Sequence, residues 1–423
     1  MKLWGKTALS LLLGITIISG ASIMPQVTAA AAPIEIVLDD VPLSFNVAPM
    51  IQNSVTVVPF RTIAQALGIN VEWDNANSVV RAQGIVNGVL KKVVLKIGQK
   101  TATVDGKSVR LITPPVMVNA RVLIPLSFFS TQFGANVGWS NETKTVSIKS
   151  PKKQMHLRAF YALGSFQQRA RISSMDSVAF GWSRINENGE LVLDGDDYYW
   201  PEAAGEVTPE SLIKDSASQG AKPYLMVYSV DGKGELTKML SDETLRNRSI
   251  ANMAALVRDM GFGGVVLDLE GLGLNLDPLQ QQKLLNNYVK LLVDQLSPLG
   301  ATVSVAVPPP NGSYKGYDYK TLAGLAEDLI LMAYDFHPPG TPDHTPEPNA
   351  KVEEAISLML EAGVPKNKLI LGISFGSEFV FTVDDKLGLA KRYGLKGASF
   401  WVLKLYSDEF ANEIDRVVEK VGK

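Results

Sequence analysis

Residues 261–270 read GFGGVVLDLE, a run of small and apolar residues that ends in two acids, Asp268 and Glu270. Successive side chains of a β-strand point to opposite sides, so Val266, Asp268 and Glu270 share one face, with the two acids about 6.6 Å apart along the strand. We therefore expect a buried strand that presents two carboxyl groups to the same space at its C-terminal end.

Seven further apolar runs with β-strand character surround this stretch and alternate with helical patterns. The runs are Leu157 to Leu163, Ser177 to Phe180, Pro223 to Tyr228, Thr302 to Val307, Asp328 to Ala333, Leu369 to Ile373 and Gly397 to Val402. The helical patterns are Asn247 to Met260, Gln280 to Leu296, Tyr319 to Leu325, Val352 to Ala362 and Val383 to Tyr393. Eight strands that are apolar on both faces and alternate with helices predict an α/β fold, a (β/α)8 TIM barrel over residues 154–423.

The two acids suit acid catalysis. The C-terminal ends of barrel strands build the active sites of this architecture. When two carboxyl groups face each other in a confined cleft, the ionised one raises the pKa of its neighbour, which favours a protonated Glu270 able to donate to a leaving oxygen. The alternative is that both acids are solvated residues where the strand meets its loop.

The stretch resembles the catalytic strand of glycoside hydrolase family 18, in which three alternating aspartates precede a glutamate. Asp268 takes the place of the third aspartate and Glu270 that of the acid. Leu331–Met332–Ala333–Tyr334–Asp335 resembles the family's Met-x-Tyr-Asp segment, and Ser399–Phe400–Trp401–Val402 resembles the strand that supplies a tryptophan floor. Tyr161 belongs to a weaker match on the first strand.

This resemblance implies a chitinase-like or spore and cell-wall glycosidase that needs no cofactor. It implies that Glu270 is the general acid and base, while the substrate's own 2-acetamido oxygen attacks the anomeric carbon. Asp268 and Tyr334 would hold that acetamido group, and Trp401 would lie under the sugar ring. Asp335, Met332 and Tyr161 would shape the substrate pocket. The implied substrate is a polysaccharide that contains N-acetylglucosamine, either peptidoglycan or chitin.

Two departures from the family pattern keep a second function open. Gly263 and Val266 replace the first two aspartates, and a valine cannot share a proton with Asp268. The alternative is a lectin-like envelope protein that binds carbohydrate without cleaving it. Because Glu270 is retained, we expect an enzyme.

Residues 33–150 repeat themselves. Pro59 and Pro125, Gly68 and Gly134, and Trp73 and Trp139 all share an offset of 66 residues, which indicates a duplicated α+β domain. The unit resembles the module named after the N-terminal domain of copper amine oxidases. We expect neither copper nor any other metal there, because its segment contains no histidine, and we interpret it as a stalk or cell-wall module. Its tryptophans are predicted to be buried, with sugar stacking as the alternative.

The first 32 residues are typical of a signal peptide: Lys2 and Lys6 precede an apolar stretch, Ala8 to Ile18, and a small-residue run, Ala29 to Ala32. We expect a secreted, extracellular protein, associated with the cell wall through its N-terminal module and without a membrane span after cleavage. An uncleaved anchor is the alternative. The 423 residues contain no cysteine, which excludes disulfides and thiolate zinc sites, and a formal net charge of −2 gives no reason to expect nucleic acid as a partner.

Overall fold

The computed structural model describes residues 33–162, 164–195, 197–342 and 344–422. The predicted signal peptide lies outside these residues, as does Leu163, the last residue of the predicted first barrel strand. No helix in the described ranges is long and apolar enough to cross a membrane.

The N-terminal part consists of thirteen short strands and two helices over the described residues 35–149. The strands are β1 (Glu35–Leu38), β2 (Val41–Pro42), β3 (Met50–Gln52), β4 (Val55–Pro59), β5 (Asn70–Asp74), β6 (Val79–Val86), β7 (Val89–Lys96), β8 (Thr101–Val104), β9 (Lys107–Arg110), β10 (Val116–Val118), β11 (Arg121–Pro125), β12 (Asn136–Ser140) and β13 (Thr145–Lys149). The helices are α1 (Phe60–Ala66) and α2 (Leu126–Gln132).

The 66-residue offset read from the sequence recurs in these elements. It relates the first residues of α1 and α2, of β4 and β11, and of β5 and β12. β4 and β11 pair antiparallel with each other, while β1, from the start of the module, pairs in parallel with β13, from its end. Two copies of one supersecondary unit thus enclose a common apolar core, as a duplication predicts.

The tryptophans of this module do not share one environment. Trp73 is half-buried against the core, whereas Trp139 is 46% exposed. The prediction that both are buried was therefore wrong for Trp139. Its strand, β12, is the edge strand of a four-stranded sheet, so only one neighbouring strand is available to cover it.

A closed barrel of eight parallel strands follows, as predicted. Its strands are β14 (Lys153–Tyr161), β15 (Ser177–Ile185), β17 (Lys222–Val230), β18 (Gly264–Glu270), β19 (Thr302–Val307), β20 (Asp328–Leu331), β21 (Leu369–Ser374) and β22 (Gly397–Trp401), with β16 (Leu191–Val192) and β23 (Val418–Lys420) as additions. The helices are α3 (Pro209–Ser218), α4 (Glu235–Ser241), α5 (Glu243–Met260), α6 (Pro278–Leu296), α7 (Tyr319–Leu325), α8 (Asn349–Glu361), α9 (Val380–Tyr393) and α10 (Asp408–Val417). Pairing of β22 with β14 closes the barrel.

Alternate residues of the barrel strands separate into two apolar clusters. The larger cluster fills the layer between strands and helices and contains Val265, Leu267 and Leu269 of β18. The smaller one fills the barrel interior and contains Val266 of the same strand together with Phe160 of β14. This alternation decides which side chains face the interior, where the barrel opens at the C-terminal ends of its strands.

The opposite end of the barrel contains a buried ion cluster. Arg158 and Asp328 are both 0% exposed, and the guanidinium Nη1 lies 3.0 Å from the carboxylate Oδ1. Lys396 reaches the other oxygen of Asp328 at 2.7 Å, and Arg158 also donates to Ser177 and lies over the ring of Tyr224. Every charge in this cluster has an oppositely charged partner, which is what burial of ions requires.

Barrel and N-terminal module meet at α9. The Arg392 guanidinium donates to the carbonyl oxygens of Leu38 at 3.1 Å and Val41 at 2.9 Å. Lys149 donates to Asp384 at 2.8 Å, and Gly388 approaches Asp39 so closely that a Cβ at this position would overlap with it. These contacts combine ion pairs with hydrogen bonds to chain carbonyls.

Candidate active site

Strand β18 places both of its acids, Asp268 and Glu270, at the mouth of the barrel. Val266 lies in the apolar interior, Asp268 follows two residues later with 5% exposure, and Glu270 is half-buried at the end of the strand. The flanking residues Leu267 and Leu269 face the helices instead. Because side chains alternate along a strand, Leu267 and Leu269 pack against the helices, while Asp268 and Glu270 face the site.

The two carboxyl groups form a coupled pair. Their side chains are hydrogen-bonded to each other. Burial, reinforced by the charge of Glu270, raises the pKa of Asp268 well above its usual value. Burial also raises the pKa of Glu270, and the nearby charge of Asp335 adds to the effect. Two neighbouring carboxyl groups do not both ionise readily, so the pair keeps a shared proton to higher pH than a free carboxyl group does.

Asp268 is the more deeply buried of the two acids. Burial is more complete at Asp268, and the hydrogen bond from Asp268 lowers the pKa of Glu270, although burial and Asp335 raise it overall. A proton shared by this pair is therefore not assigned to one residue alone. A hydrogen-bond donor that approached Asp268 would favour its ionised form and return the proton to Glu270.

The segment after β20 brings Tyr334 to the same pair. Burial and the charges of Asp268, Glu270 and Asp335 raise the pKa of the Tyr334 hydroxyl well above 10, so this group stays protonated and can donate a hydrogen bond. Met332 packs on the interior cluster beneath it, and Asp335 is exposed beyond it. The sequence prediction extended the sixth strand to Ala333, whereas β20 ends at Leu331 and leaves this segment irregular.

Aromatic rings form the opposite side of the mouth. Trp401 packs edge-on against Phe160, with ring centroids 5.5 Å apart, and lies 6.5 Å from the ring of Tyr198. Tyr198 stacks on Tyr228 with centroids 4.5 Å apart. Burial, and then the charges of Glu270 and Asp268, raise the pKa of Tyr228 to about 12. Burial and the same two charges also raise the pKa of Tyr198. The aromatic group therefore adjoins the acids.

A pocket of about 430 Å³ opens beside Glu270. Its walls come from the loops after the fourth, fifth and sixth strands and include Glu270, Tyr314, Tyr317, Met332, Tyr334 and Phe336. Aromatic faces with a few polar groups at the base are suited to a carbohydrate, whose rings present C–H faces and hydroxyl edges.

Comparison with known proteins assigns this chain to a family. The model of "Glycosyl hydrolases family 18" matches residues 158–397, more than half of the chain. This chain belongs to glycosyl hydrolases family 18. The model of "Copper amine oxidase N-terminal domain" matches residues 37–148.

Several members of the family are similar to the barrel. The cortical fragment-lytic enzyme of Bacillus anthracis is 23% identical over 178 residues, covering 40% of each chain. Chitotriosidase-1 of Mus musculus is 27% identical over 180 residues, covering 37% of this chain and 39% of that protein. The spore cortex-lytic enzyme SleL of Bacillus cereus superposes with a TM-score of 0.53 at 17% identity, over 65% of this chain and 77% of its own. The chain thus spans about 40% of the length of these curated relatives.

The two departures from the family 18 motif lie in different places. Gly263 precedes β18 at the far end of the barrel, about 23 Å from Glu270 by strand rise, and the side chain of Lys222 lies over it. Val266 lies directly below Asp268 in the apolar interior, fully buried. Among the described residues, Oδ1 of Asp268 has no hydrogen-bond partner. Val266 is therefore the departure that lies next to the acid pair.

The structure does not bring Tyr161 to this site. Its ring packs 5.3 Å from Phe180 and 5.8 Å from Trp182, in the layer between strands and helices, and only 4% of the residue is exposed. The preceding residue, Phe160, faces the barrel interior instead. Tyr161 was thus wrongly expected to bind substrate: on β14 it alternates with Arg158 and Phe160, which face the interior, and lies on the opposite, helix-facing side.

His337 and His344 line a second groove beside Asp335. Asp343, which the sequence places between them, lies outside the described residues. No group of three or more histidine, aspartate or glutamate side chains that could hold a metal ion occurs in the part of the chain that the structure describes.

Proposed function

We propose that this protein is an exported glycosidase that hydrolyses β-1,4 bonds next to N-acetylglucosamine, with retention of configuration and with participation of the substrate. The observation that carries the proposal is the hydrogen-bonded pair of Asp268 and Glu270 with raised pKa values, at the mouth of a family 18 barrel. A carboxyl group that stays protonated near neutral pH is what general acid catalysis at a glycosidic oxygen needs.

In the first step, Glu270 donates its proton to the glycosidic oxygen as the bond from that oxygen to the anomeric carbon breaks. The carbonyl oxygen of the 2-acetamido group forms the new bond to the anomeric carbon, which yields a cyclic oxazolinium ion. In the second step, Glu270 removes a proton from water, and the water oxygen displaces the acetamido oxygen. Two inversions at one carbon give retention.

Asp268 and Tyr334 hold the acetamido group for this attack. The acetamido N–H donates to Asp268, which favours the ionised aspartate, shifts the shared proton to Glu270 and stabilises the oxazolinium charge. The Tyr334 hydroxyl donates to the acetamido carbonyl oxygen and keeps it in line with the anomeric carbon. Trp401 forms the apolar floor under the sugar ring, and Met332 and Asp335 shape the pocket.

The substrate we propose is cell-wall glycan in preference to chitin. Related proteins include a cortical fragment-lytic enzyme and a spore cortex-lytic enzyme as well as chitinases. A signal peptide and a duplicated N-terminal module fit a protein that is exported and then held at the envelope by that module. The barrel would then act on the polymer next to which it is anchored.

The purified protein should be incubated separately with chitooligosaccharides and with peptidoglycan fragments. We expect new reducing ends, released first as the β-anomer, and a loss of about 10²–10⁴-fold in rate in Glu270→Gln. Release of the α-anomer first would contradict the proposed mechanism. Glu243→Gln, at the exposed first residue of α5, is the matched control.

The alternative is a carbohydrate-binding protein without turnover. Its specific support is Val266, which leaves Asp268 without a second acid to share charge with while the shared proton moves. This alternative would be favoured if the protein binds either glycan but releases no product. The affinities of wild type and Glu270→Gln should then differ by no more than a few-fold.

A further inference from the structure

A buried carboxylate outside the pocket holds the segment that carries Tyr334 and Asp335. Glu347 is 5% exposed and lies two residues before α8. Its Oε1 accepts a hydrogen bond from the backbone N–H of Asp335 at 3.0 Å, and its Oε2 accepts one from that of Phe336 at 3.1 Å. These are the two peptide groups that follow Tyr334, so the carboxylate fixes the direction in which the chain leaves the pocket.

The backbone at Asp335 depends on such a partner. Its φ of 65° lies in the left-handed region, which is costly for a residue with a side chain and persists only where the surroundings hold it. In this conformation successive N–H groups form a concave site that suits an anion. Within the described ranges, neither N–H has another acceptor. A carboxylate supplies two charged oxygens, one for each.

Glu347 is itself anchored to two helices. Its backbone N–H donates to Oε1 of Glu378 at 3.1 Å, and Glu378 forms an ion pair of 3.2 Å with Lys386 of α9. Both of these side chains are at most 3% exposed. Lys386 also donates to Asn349, the first residue of α8, at 2.8 Å. The position of the Glu347 carboxylate is thus set by the rigid outer layer of the barrel.

We propose that Glu347 is a positioning residue of this enzyme, which places the Tyr334 hydroxyl and the Asp335 carboxylate relative to Glu270. This inference rests on the proposed function and adds a residue that the sequence motifs do not contain. A group that orients the acetamido oxygen for attack affects the chemical step more than it affects binding of the remaining sugars, so its loss should lower kcat more than it raises KM.

The pH profile separates positioning from a loss of folded protein. The groups that face Glu270 are the acids Asp268 and Asp335 and the neutral tyrosines Tyr198, Tyr228, Tyr317 and Tyr334. After burial, the charge of Asp335 is the largest factor that raises the pKa of Glu270. If Asp335 moves away, this pKa falls, and the alkaline limb of kcat/KM moves to lower pH because the acid deprotonates earlier.

The experiment compares Glu347→Gln with wild type on the glycan that the wild type cleaves, chitooligosaccharide or peptidoglycan fragment. Glutamine has nearly the same shape, but its amide nitrogen would face a backbone N–H instead of accepting from it. We expect kcat to fall about tenfold to a hundredfold, KM to change much less, and the alkaline limb to shift to lower pH. Glu361→Gln, at the exposed last residue of α8, should behave like wild type.

Two further measurements keep the test decisive if Glu347→Gln is unstable. Asp335→Asn should shift the alkaline limb in the same direction, and adding Glu347→Gln to it should shift the limb little further. Hydrogen exchange of the full-length variant should show faster exchange in residues 332–340, with the barrel strands protected as in wild type.

Each outcome decides between the two proposals. An active wild type with unchanged kcat and pH profile in Glu347→Gln overturns the positioning role alone. The positioning role is also overturned if kcat falls without a shift in the pH profile and hydrogen exchange becomes faster throughout the barrel. No product from wild type, and no difference between it and Glu270→Gln, overturns the proposed function, and the positioning role falls with it.

Discussion

The two ends of the barrel each bury an aspartate, and the two aspartates have opposite acidities. Asp328 is fully buried at the N-terminal end, where Arg158 and Lys396 contact its carboxylate. Burial alone would raise its pKa, but the two cations outweigh burial and hold the pKa well below its usual value. Asp268 is buried at the mouth, where its neighbour is another acid, and its pKa is raised. The charge of the neighbouring group, and not burial, decides whether the pKa of a buried aspartate is raised or lowered.

This difference separates a stabilising site from a reactive one. A paired, buried ion contributes to folding only as long as its partner remains, whereas a carboxyl group without a cation is costly to ionise and is available for proton transfer. One architecture supports both, because its N-terminal end is closed by packing and its C-terminal end is open to loops.

The largest expected effect is at the closed end. Arg158→Met leaves Asp328 buried with only Lys396 as a cationic partner, so we expect the free energy of unfolding to fall by about 3–5 kcal/mol. Urea denaturation measures this loss. Arg258→Met, which removes an exposed pair with Asp259, should leave the free energy of unfolding nearly unchanged. Equal losses in the two variants would contradict the difference we draw between buried and exposed pairs.

The next effect is a pH dependence at the same end. Burial, and then the charge of Arg158, lowers the pKa of His156 from 6.5 to about 4. Between these values the unfolded chain binds a proton that the folded chain does not, so stability is complete above pH 6.5 and falls as the pH decreases towards 4, by up to about 3 kcal/mol.

His156→Gln should remove this contribution. The difference in unfolding free energy between wild type and variant, measured at pH 7 and at pH 4.5, should change by most of that amount. A difference that is constant with pH would show that His156 does not titrate in this way.

The smallest effect on stability is expected at the mouth. The folded protein holds a proton on Asp268 above pH 3.8 that the unfolded chain releases, so this residue costs stability progressively as the pH rises through the folded pKa. Asp268→Asn removes that cost, and we expect the free energy of unfolding at pH 8 to be unchanged or to rise by about 1 kcal/mol.

Hydrolysis should nevertheless be largely lost in Asp268→Asn, since the acetamido group would have lost its charged partner. Asp328→Asn is the control, and we expect the opposite result for it. Its free energy of unfolding should fall, while each folded molecule should keep its hydrolytic activity. A strong loss of stability in Asp268→Asn would contradict the assignment of this aspartate to the reaction.

Much of the barrel could be predicted because its signals are local. The predicted strand Thr302 to Val307 and the predicted helix Tyr319 to Leu325 agree with β19 and α7 at both ends. The alternation of Val266, Asp268 and Glu270 could be read directly, because two of the three residues are charged and cannot face the helices. On β14 the resemblance, and not the alternation, suggested Tyr161 as a site residue, although the polar residues His156 and Arg158 alternate with Phe160 on the other face of that strand.

Other features have no local signal at all. Glu347 lies in a loop rich in proline and glycine, twelve residues after Asp335, and only the folded loop brings its carboxylate to the N–H groups of Asp335 and Phe336. The pairing of Arg158 with Asp328 spans 170 residues. In both cases a charged residue in the sequence gives no indication of which partner it has.

The sequence by itself determined the eight barrel strands with five of the helices between them, the duplication of the N-terminal module and the two acids at the end of β18. These features follow from periodicity and from the chemistry of neighbouring residues. The tertiary structure decided that Tyr161 faces the helices, that the pKa values of Asp268 and Asp328 shift in opposite directions, and what holds Tyr334 in place. Those outcomes depend on burial and on charges that are distant in sequence, because the electrostatic free energy of a group is set by what surrounds it in space.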